Sequence, residues 1–233
     1  MSYSNKPLLK KAKRFGFIME TIRKDNISSK EDLLDLIFSQ EYKSINDVKD
    51  SNGDPLFFFT NLKLTKVIID ELGADPTVMN NYGQTAIFYA GNERLNYFLS
   101  KGLDINHRDN RGETPFNFIF VKNYSEKTVK KFMNAGAKIN EVNNKNENLI
   151  IRLIKFKGND IHKKEPLVKF LIFLASNGVS THCLTANDEI QINEKLKNKL
   201  IETFVKYEKN TIKKLTENCD GALINNSMKV KRI

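Results

Sequence analysis

Few side chains in this sequence have the type and spacing that catalysis or metal binding requires. The 233 residues include three histidines and two cysteines, and the closest pairing of the two types is His182-Cys183. A histidine beside a cysteine could form a base and nucleophile pair or hold a metal ion. Adjacent side chains on regular backbone point in different directions, however, and no further ligand residues cluster beside this pair. We therefore expect no catalytic residue, no metal and no cofactor.

Short catalytic motifs are missing as well. The sequence has no Walker loop, no HExxH and no GxSxG, and Gly112 does not follow a buried strand as a phosphate-binding loop would. Asp70-Glu71 and Glu93 fall on predicted helix faces beside lysines, which is typical of solvated surface. If the protein is an enzyme, its active site would lie where the terminal segments meet the rest of the chain. Neither terminal segment is long enough to be a catalytic domain by itself.

The net charge of +10 is concentrated in parts of the chain. Residues 1–24 contain seven basic side chains and one acidic one, whereas residues 50–143 contain 11 of each sign. This supports an alternative function, in which residues 1–24 and 152–170 form a basic surface that binds nucleic acid or an anionic membrane. Lysine greatly outnumbers arginine, although arginine is the better reader of bases. We therefore expect no specific nucleic-acid partner, and an AT-rich genome also explains the abundance of Lys and Asn.

The cysteines and the hydropathy bear on localisation. Cys183 and Cys219 show no CxxC spacing and no disulfide framework, which favours a reducing, cytoplasmic environment. No segment reaches about 18 consecutive apolar residues, so we expect no membrane span. The basic N-terminal residues lack the apolar core of a signal peptide.

Two recurring glycine markers define the elements that position the remaining polar residues. Gly53, Gly83 and Gly112 open polar turns and are spaced 30 and 29 residues apart. The other marker follows each apolar helical stretch, at Gly73, Gly102, Gly136 and Gly178. A period near 30 residues is typical of a stacked repeat, and glycine past a helix end adopts positive φ at little cost.

These markers divide the chain into a cap, four repeats and a second cap. The N-terminal cap, 1–49, has a basic helix over 7–24 and a second helix that opens with a capping box at Ser28 and Glu31. The repeats are 50–79, 80–108, 109–142 and 143–181, the last interrupted by an insertion at 155–165. Residues 182–233 form a helical cap that frays from 218. The apolar residues on one face of this cap helix are Leu196, Leu200, Phe204 and Tyr207.

The repeat motifs resemble those of the ankyrin repeat family, in a divergent bacterial or large-DNA-virus form. Gly112, Thr114, Pro115 and Phe116 match the family's Gly-x-Thr-Pro-Leu opening, and Gly83 and Thr85 match it without the proline. Gly73-Ala74-Asp75 and Gly136-Ala137 match its close, and the pattern covers residues 28–180. The resemblance implies an all-α solenoid of helix–turn–helix units joined by short hairpin loops, with helical caps at both ends.

The sequence departs from the family in two respects. The first two repeats span only 20 and 19 residues between their glycine markers, against about 23 in the usual unit, which predicts shortened turns between their helices. The family's histidine is replaced by Phe58, Phe88 and Asn117, which removes the usual histidine links between units. In the run Phe57-Phe58-Phe59, helical geometry prevents all three rings from being buried against one neighbour, so the last is a candidate contact residue.

The resemblance also implies where a partner would bind. In this family the hairpin tips lie in a row beside the first helices and form a concave face. The matching residues here are Asn52, Asp54, Asn81, Tyr82, Gln84, Asn110, Arg111, Glu113, Lys145 and Glu147. Tyr82 and Arg111 are of the types that contribute most at interfaces. We expect a monomer that binds another protein, as an effector acting in the cytoplasm of a host or as an immunity protein that neutralises a toxin.

Overall fold

The computed structural model describes residues 6–25, 27, 29–119, 125–157, 165–182, 184 and 194–230. For residues 6–11, 119, 157 and 215–230 it describes the backbone alone. Helices and turns make up this part of the chain, and no β-strand occurs in it. The predicted all-α fold class is therefore confirmed. The insertion at 155–165 and Cys183 fall largely or wholly outside the described residues.

The chain folds into two compact units. The first comprises Met1–Ile119 and Lys127–Lys138, and the second comprises Phe120–Glu126 and Ile139–Ile233. The repeat boundaries inferred from the sequence stay predictions.

The first unit begins with two cap helices, α1 (Lys6–Lys24) and α2 (Lys30–Ser39). Phe15, Ile18 and Met19 bury one face of α1, as its apolar spacing predicts. The predicted capping box at Ser28 is wrong by one residue. Ser29 is the N-cap, because its Oγ accepts from the Asp32 N–H at 3.2 Å and donates to the Asp32 carboxylate at 2.7 Å.

The first two repeats have a much shorter first helix than the usual two-helix unit. Leu56–Phe58 and Ala86–Tyr89 each form a single 3₁₀ turn, and only in the third repeat does an α-helix appear, α5 (Pro115–Ile119). Pro115 occupies the first helical position, as predicted. The first helix of these repeats is therefore itself shortened, in addition to the turn between the two helices.

The second helices of the repeats carry the predicted apolar stripes. They are α3 (Leu62–Lys66), which continues as a π-helical turn over Val67–Glu71, α4 (Gly91–Ser100) and α6 (Glu126–Asn134). Their buried residues include Leu64 and Ile68, Leu95 and Phe98, and Val129 and Phe132. The core of the first unit is rich in phenylalanine, each ring removing a large apolar area from water.

Arg94 compensates for the shortness of the 3₁₀ turns. Such turns leave terminal carbonyls without helical partners. The Arg94 guanidinium donates to the carbonyls of Phe57 (2.7 Å), Phe58 (3.0 Å) and Tyr89, and so joins two repeats. Burial of this side chain lowers its pKa to about 10.

Asparagine side chains link the loops that follow the second helices. The Asn106 side chain donates to the Gly136 carbonyl at 3.1 Å and accepts from the Lys138 N–H at 2.8 Å. In the second unit, Asn140 makes the same pair of bonds to the Gly178 carbonyl and the Ser180 N–H. These links satisfy backbone groups that would otherwise need water.

The second unit contains α7 (Leu149–Lys157), α8 (Glu165–Ser176) and α9 (Glu194–Val230). In the cap helix α9, Leu196, Leu200 and Phe204 are buried, as the apolar stripe predicts, and α9 packs on α8. The α9 backbone stays helical to Val230, past residue 218, where the sequence pattern ends.

Candidate functional site

Four polar tips are built on one pattern of hydrogen bonds. Each begins with an aspartate or asparagine whose side-chain Oδ1 accepts from the backbone N–H groups two and four residues later, at 2.8–3.0 Å. These residues are Asp50, Asn80 and Asp109 in the first unit and Asn143 in the second. Short side chains with an acceptor oxygen are favoured at such turns. These bonds fix the backbone conformation of each tip.

A buried row of acid–amide pairs joins the tips of the first unit. The Asn80 amide donates to the Asp54 carboxylate at 2.6 Å, and the Gln84 amide donates to the Asp109 carboxylate at 2.8 Å. The Tyr89 hydroxyl donates to the Gln84 Oε1 at 2.7 Å. Burial raises the pKa of the Asp54 carboxyl, against the hydrogen bond from Asn80. Asp54 and Gln84 therefore connect repeats and are covered from solvent.

Neighbouring tips of the first unit also approach at the backbone. The Asn81 N–H donates to the Asn52 carbonyl and the Asn110 N–H to the Tyr82 carbonyl, both at 2.9 Å. At Gly83 a Cβ atom would lie only 2.4 Å from the Asn110 Oδ1. Only glycine permits this approach, and it also adopts the required φ of +75°.

A second set of side chains, with Tyr82 and Arg111 exposed and Asn52 half-buried, also connects the tips of the first unit. The Tyr82 hydroxyl donates to the Asn52 Oδ1 at 3.4 Å, and the Arg111 guanidinium lies 5.5 Å from the centre of the Tyr82 ring. The Tyr82 side chain is 40% exposed. We call Asn52, Tyr82 and Arg111 the tip row. It brings together an amide, an aromatic ring and a cation, and the cation–π contact holds the Tyr82 and Arg111 side chains against each other.

In the second unit, the tip supplies Lys145 and Glu147. Lys145 is exposed, whereas Glu147 is buried and forms an ion pair of 3.0 Å with Lys155. Burial alone would raise the pKa of Glu147. Hydrogen bonds from Asn143 and Lys155 and the charges of Lys155 and Lys145 outweigh burial and lower this pKa.

The structure thus separates the ten predicted contact residues into two sets. The open set is Asn52, Asn81, Tyr82, Asn110, Arg111 and Lys145, and the covered set is Asp54, Gln84, Glu113 and Glu147. Members of the covered set present little surface to a partner. A partner-binding role for the open set stays a prediction.

A row of aromatic side chains in the first unit includes residues that were not among the predicted contacts. Consecutive rings of this row have centres 5.7–6.0 Å apart, in the order Phe15, Phe59, Tyr89 and Phe118. Beside Phe59 and Tyr89 lies a groove of about 450 Å³. Phe57 and Phe58 are buried and Phe59 is 39% exposed, the division expected for the Phe57-Phe58-Phe59 run. Burial, followed by the charge of Asp54, raises the pKa of Tyr89 well above its usual range.

The histidines make structural contacts where the structure describes them. His107 lies 2.8 Å through its Nε2 from the Gly83 carbonyl, and His182 packs edge-on against Phe204. Among the described residues, no three His, Cys, Asp or Glu side chains come together as metal ligands. Nor does the described chain contain a helix long and apolar enough to cross a bilayer.

No protein-family model matches the chain, and no curated protein matches it. Among solved structures, the chain is similar to an ankyrin repeat domain of Acinetobacter baumannii AYE, determined by crystallography at 1.00 Å resolution. The two share 17% sequence identity and superpose with a TM-score of 0.50, over 76% of this chain and 93% of that chain. At this identity the similarity shows the fold alone. The chain therefore has the ankyrin-repeat fold that its motifs predict.

Proposed function

We propose that this ankyrin-repeat chain is a non-enzymatic binding module that holds another protein on the tip row of its first unit. The observation that carries the proposal is the connected set of Asn52, Tyr82 and Arg111, of which Tyr82 and Arg111 are exposed, on tips that a buried hydrogen-bond network joins. The network fixes the tip backbones, so binding orders few additional groups. Tyrosine and arginine are enriched among residues that dominate interface energies.

The aromatic row extends the proposed surface with apolar area. Phe59 is part of this row and is 39% exposed beside the 450 Å³ groove. An apolar side chain of the partner that fills this groove would add hydrophobic stabilisation of about 25 cal/mol per Å² buried. The expected partner surface therefore combines an acid that pairs with Arg111 and an apolar residue that enters the groove.

A pull-down from a lysate of the native cell tests the proposal. Tyr82→Ala and Arg111→Ala should each lower partner recovery strongly, since loss of a dominant interface residue costs at least about 2 kcal/mol, or roughly 30-fold in Kd. Phe38→Ala and Arg23→Ala are matched controls, because both side chains are exposed and lie on the cap helices. Unchanged recovery with both tip variants would reject the tip row as the binding surface.

A second candidate function rests on α1. This helix exposes Lys13, Arg23 and Lys24 together with Phe17, which is 49% exposed. Cations and an aromatic ring on one helix suit nucleic acid or an anionic membrane. Arg23→Ala and Lys24→Ala should then weaken binding to an oligonucleotide or to anionic vesicles, and added salt should weaken it steeply. Binding that survives about 0.5 M salt would argue against this function.

The cellular role that we propose for the module is toxin neutralisation or action as an effector in a host cytoplasm. Both roles use a stable surface that occupies another protein. A toxin gene beside the coding gene would favour the immunity role, and a secretion cluster would favour the effector role. A neighbourhood containing neither would leave both roles without support.

A further inference from the structure

Three rings of the aromatic row occupy the same position in three successive repeats. Phe59, Tyr89 and Phe118 each lie six residues after the glycine that opens the polar turn of the repeat. Their ring centres are 6.0 and 5.7 Å apart, and neighbouring rings are inclined by 62° and 63°. Phe59 is 39% exposed, and the other two rings are half-buried. The stack of repeats thus presents one aromatic contact at a nearly constant interval.

The groove beside this row lies between the starts of two neighbouring second helices. One wall is formed by residues 59–62, at the start of α3, and the other by residues 89–94, at the start of α4. Its volume of about 450 Å³ is within the range of small binding sites. A ligand in the groove would therefore contact two repeats at once.

The charged side chains in the groove lining are one acid and one base, Glu93 and Arg94. The Arg94 guanidinium already donates to three backbone carbonyls. Two lysines lie beside the lining: Lys131 donates to the Asn92 carbonyl, and Lys63 interacts elsewhere in the chain. Because the cations have partners within the protein and one acid is exposed, the groove suits an uncharged ligand better than a phosphate backbone or an acidic peptide.

Both walls carry asparagine amides with unused hydrogen-bonding groups. The Asn92 side chain forms no hydrogen bond within the described part of the chain, although its Oδ1 is buried. A buried polar atom without a partner costs stability, and the amide can rotate about its last bond toward a ligand. On the other wall, the Asn61 Oδ1 accepts from the Leu64 N–H at 2.9 Å, which leaves the Asn61 NH₂ group for a ligand. A ligand that satisfies both walls therefore brings N–H donors and C=O acceptors.

We propose that the groove and the aromatic row bind an extended, uncharged peptide segment of the partner, with apolar side chains at alternate positions. Alternate side chains of an extended chain lie on one side, about 6.6 Å apart, which is close to the separation of the ring centres. Residues i and i+4 of a helix are about 6 Å apart as well. A helix, however, pairs its N–H and C=O groups internally and leaves none for Asn61 and Asn92. The inference rests on the proposed binding of a protein partner and names the segment that enters the groove.

Fluorescence anisotropy of the full chain with short labelled peptides tests the site. The test peptide consists of Gly, Ser and Thr with two leucines at alternate positions. A peptide of the same composition has its two leucines adjacent, so that they point to opposite sides. We expect saturable binding of the test peptide and about tenfold weaker binding of the second peptide, because one of its leucines faces away from the rings.

Two variants with matched controls separate binding from folding. Phe59→Ala should weaken binding of the test peptide about tenfold, whereas Phe38→Ala, on α2, should leave it within about twofold. Asn92→Leu should weaken binding about fivefold, the effect of about one hydrogen bond. Because this change removes a buried oxygen without a partner, the free energy of unfolding should stay the same or rise. Asn96→Leu makes the same change on α4 outside the lining and should leave binding within about twofold.

Four results would overturn the proposal. No saturable binding below about 1 mM, or equal binding of the two leucine arrangements, would show that the groove does not select an extended segment. Binding of a helical peptide with leucines at i and i+4, when the test peptide does not bind, would assign the groove to a helix. A change above about fivefold on adding flanking glutamates or lysines would show that charge governs binding. Reduced stability of Asn92→Leu with unchanged binding would assign Asn92 to the fold alone.

Failure of this inference can be told apart from failure of the tip row. Tyr82→Ala should leave binding of the test peptide unchanged, because Tyr82 lies outside the groove lining. If the tip variants lower partner recovery and the peptide does not bind, only this inference is overturned. If the peptide binds as expected and the tip variants leave partner recovery unchanged, only the tip row is rejected.

Discussion

Replacement of Gly83 by alanine should destabilise the first unit at the contact between neighbouring tips. Gly83 has a φ of +75°, and the new Cβ would lie 2.4 Å from the Asn110 Oδ1 and 3.2 Å from its backbone N. The side-chain oxygen can move, but the backbone nitrogen donates to the Tyr82 carbonyl at 2.9 Å. To relieve the contact, one tip has to shift against the next.

The expected cost has two parts. Alanine in the left-handed region loses about 1–2 kcal/mol. Weakening the hydrogen bond between Asn110 and Tyr82 adds about 0.5–1.5 kcal/mol, for a total of about 1.5–3.5 kcal/mol. Gly102→Ala is the matched control, because Gly102 has a φ of +83° and no neighbouring atom lies within 4 Å of the place that the new methyl group would take. It should cost only the first part, about 1–2 kcal/mol.

Urea unfolding followed by far-ultraviolet circular dichroism measures both free energies, since the chain has no tryptophan to serve as a fluorescence probe. Hydrogen exchange should show faster exchange of the Asn110 amide in Gly83→Ala and not in Gly102→Ala. Adding Asn110→Ala to Gly83→Ala removes the closest clash and should recover about 1 kcal/mol. Equal destabilisation by Gly83→Ala and Gly102→Ala, with no recovery in the double variant, would refute the role assigned to the close approach.

Three further substitutions test the links between repeats by the same unfolding assay. Arg94→Met should destabilise by about 2–4 kcal/mol, because it leaves three carbonyls without their charged donor; a cost below about 1 kcal/mol would contradict this role. Asp54→Asn keeps the acceptor for Asn80 and removes a buried charge. Because the pKa of Asp54 is raised in the fold, the free energy of unfolding of the wild type falls as the pH rises above about 4. Asp54→Asn should therefore be at least as stable as the wild type at pH 7. In acid, where the wild-type carboxyl is protonated, this difference in stability should disappear. The hydrogen bond from Lys101 lowers the pKa of Asp70, so Asp70→Asn should lower the free energy of unfolding by at most about 1 kcal/mol at pH 7. This loss should disappear as the pH falls through the pKa of Asp70. A loss that persists in acid would indicate another cause.

The sequence predicts those features that depend on one residue type in one place. Pro115 begins α5, and the apolar stripes of α4 and α6 are buried as their spacing requires. Each of these follows from local backbone geometry or from helical periodicity. The N-cap of α2 is Ser29, one residue after the predicted Ser28, and Asp32 supplies both the N–H donor and the carboxylate acceptor for the Ser29 hydroxyl.

The contacts between repeats were not predictable in the same way. Asp54 and Gln84 occupy turn positions that are typical of exposed polar residues, but their partners lie 26 and 25 residues away. Arg94 reaches carbonyls up to 37 residues away, which no local pattern indicates. The regular recurrence of Asp or Asn at 50, 80, 109 and 143 was the available signal, since it marks the residue that closes each tip.

The acid–amide pairs impose an order on the repeats. The Asp54 carboxylate needs the Asn80 amide, and the Gln84 amide is matched by the Asp109 carboxylate. A gene duplication that placed the 50–79 repeat twice in succession would bring the Asp54 carboxylate against a second Asp50, two buried acids with no donor between them. In such a copy one of the two carboxyls would have to be protonated, which destabilises the contact at neutral pH unless one acid is changed to an amide. Tandem duplication therefore costs this fold least stability when acid and amide alternate from one repeat to the next.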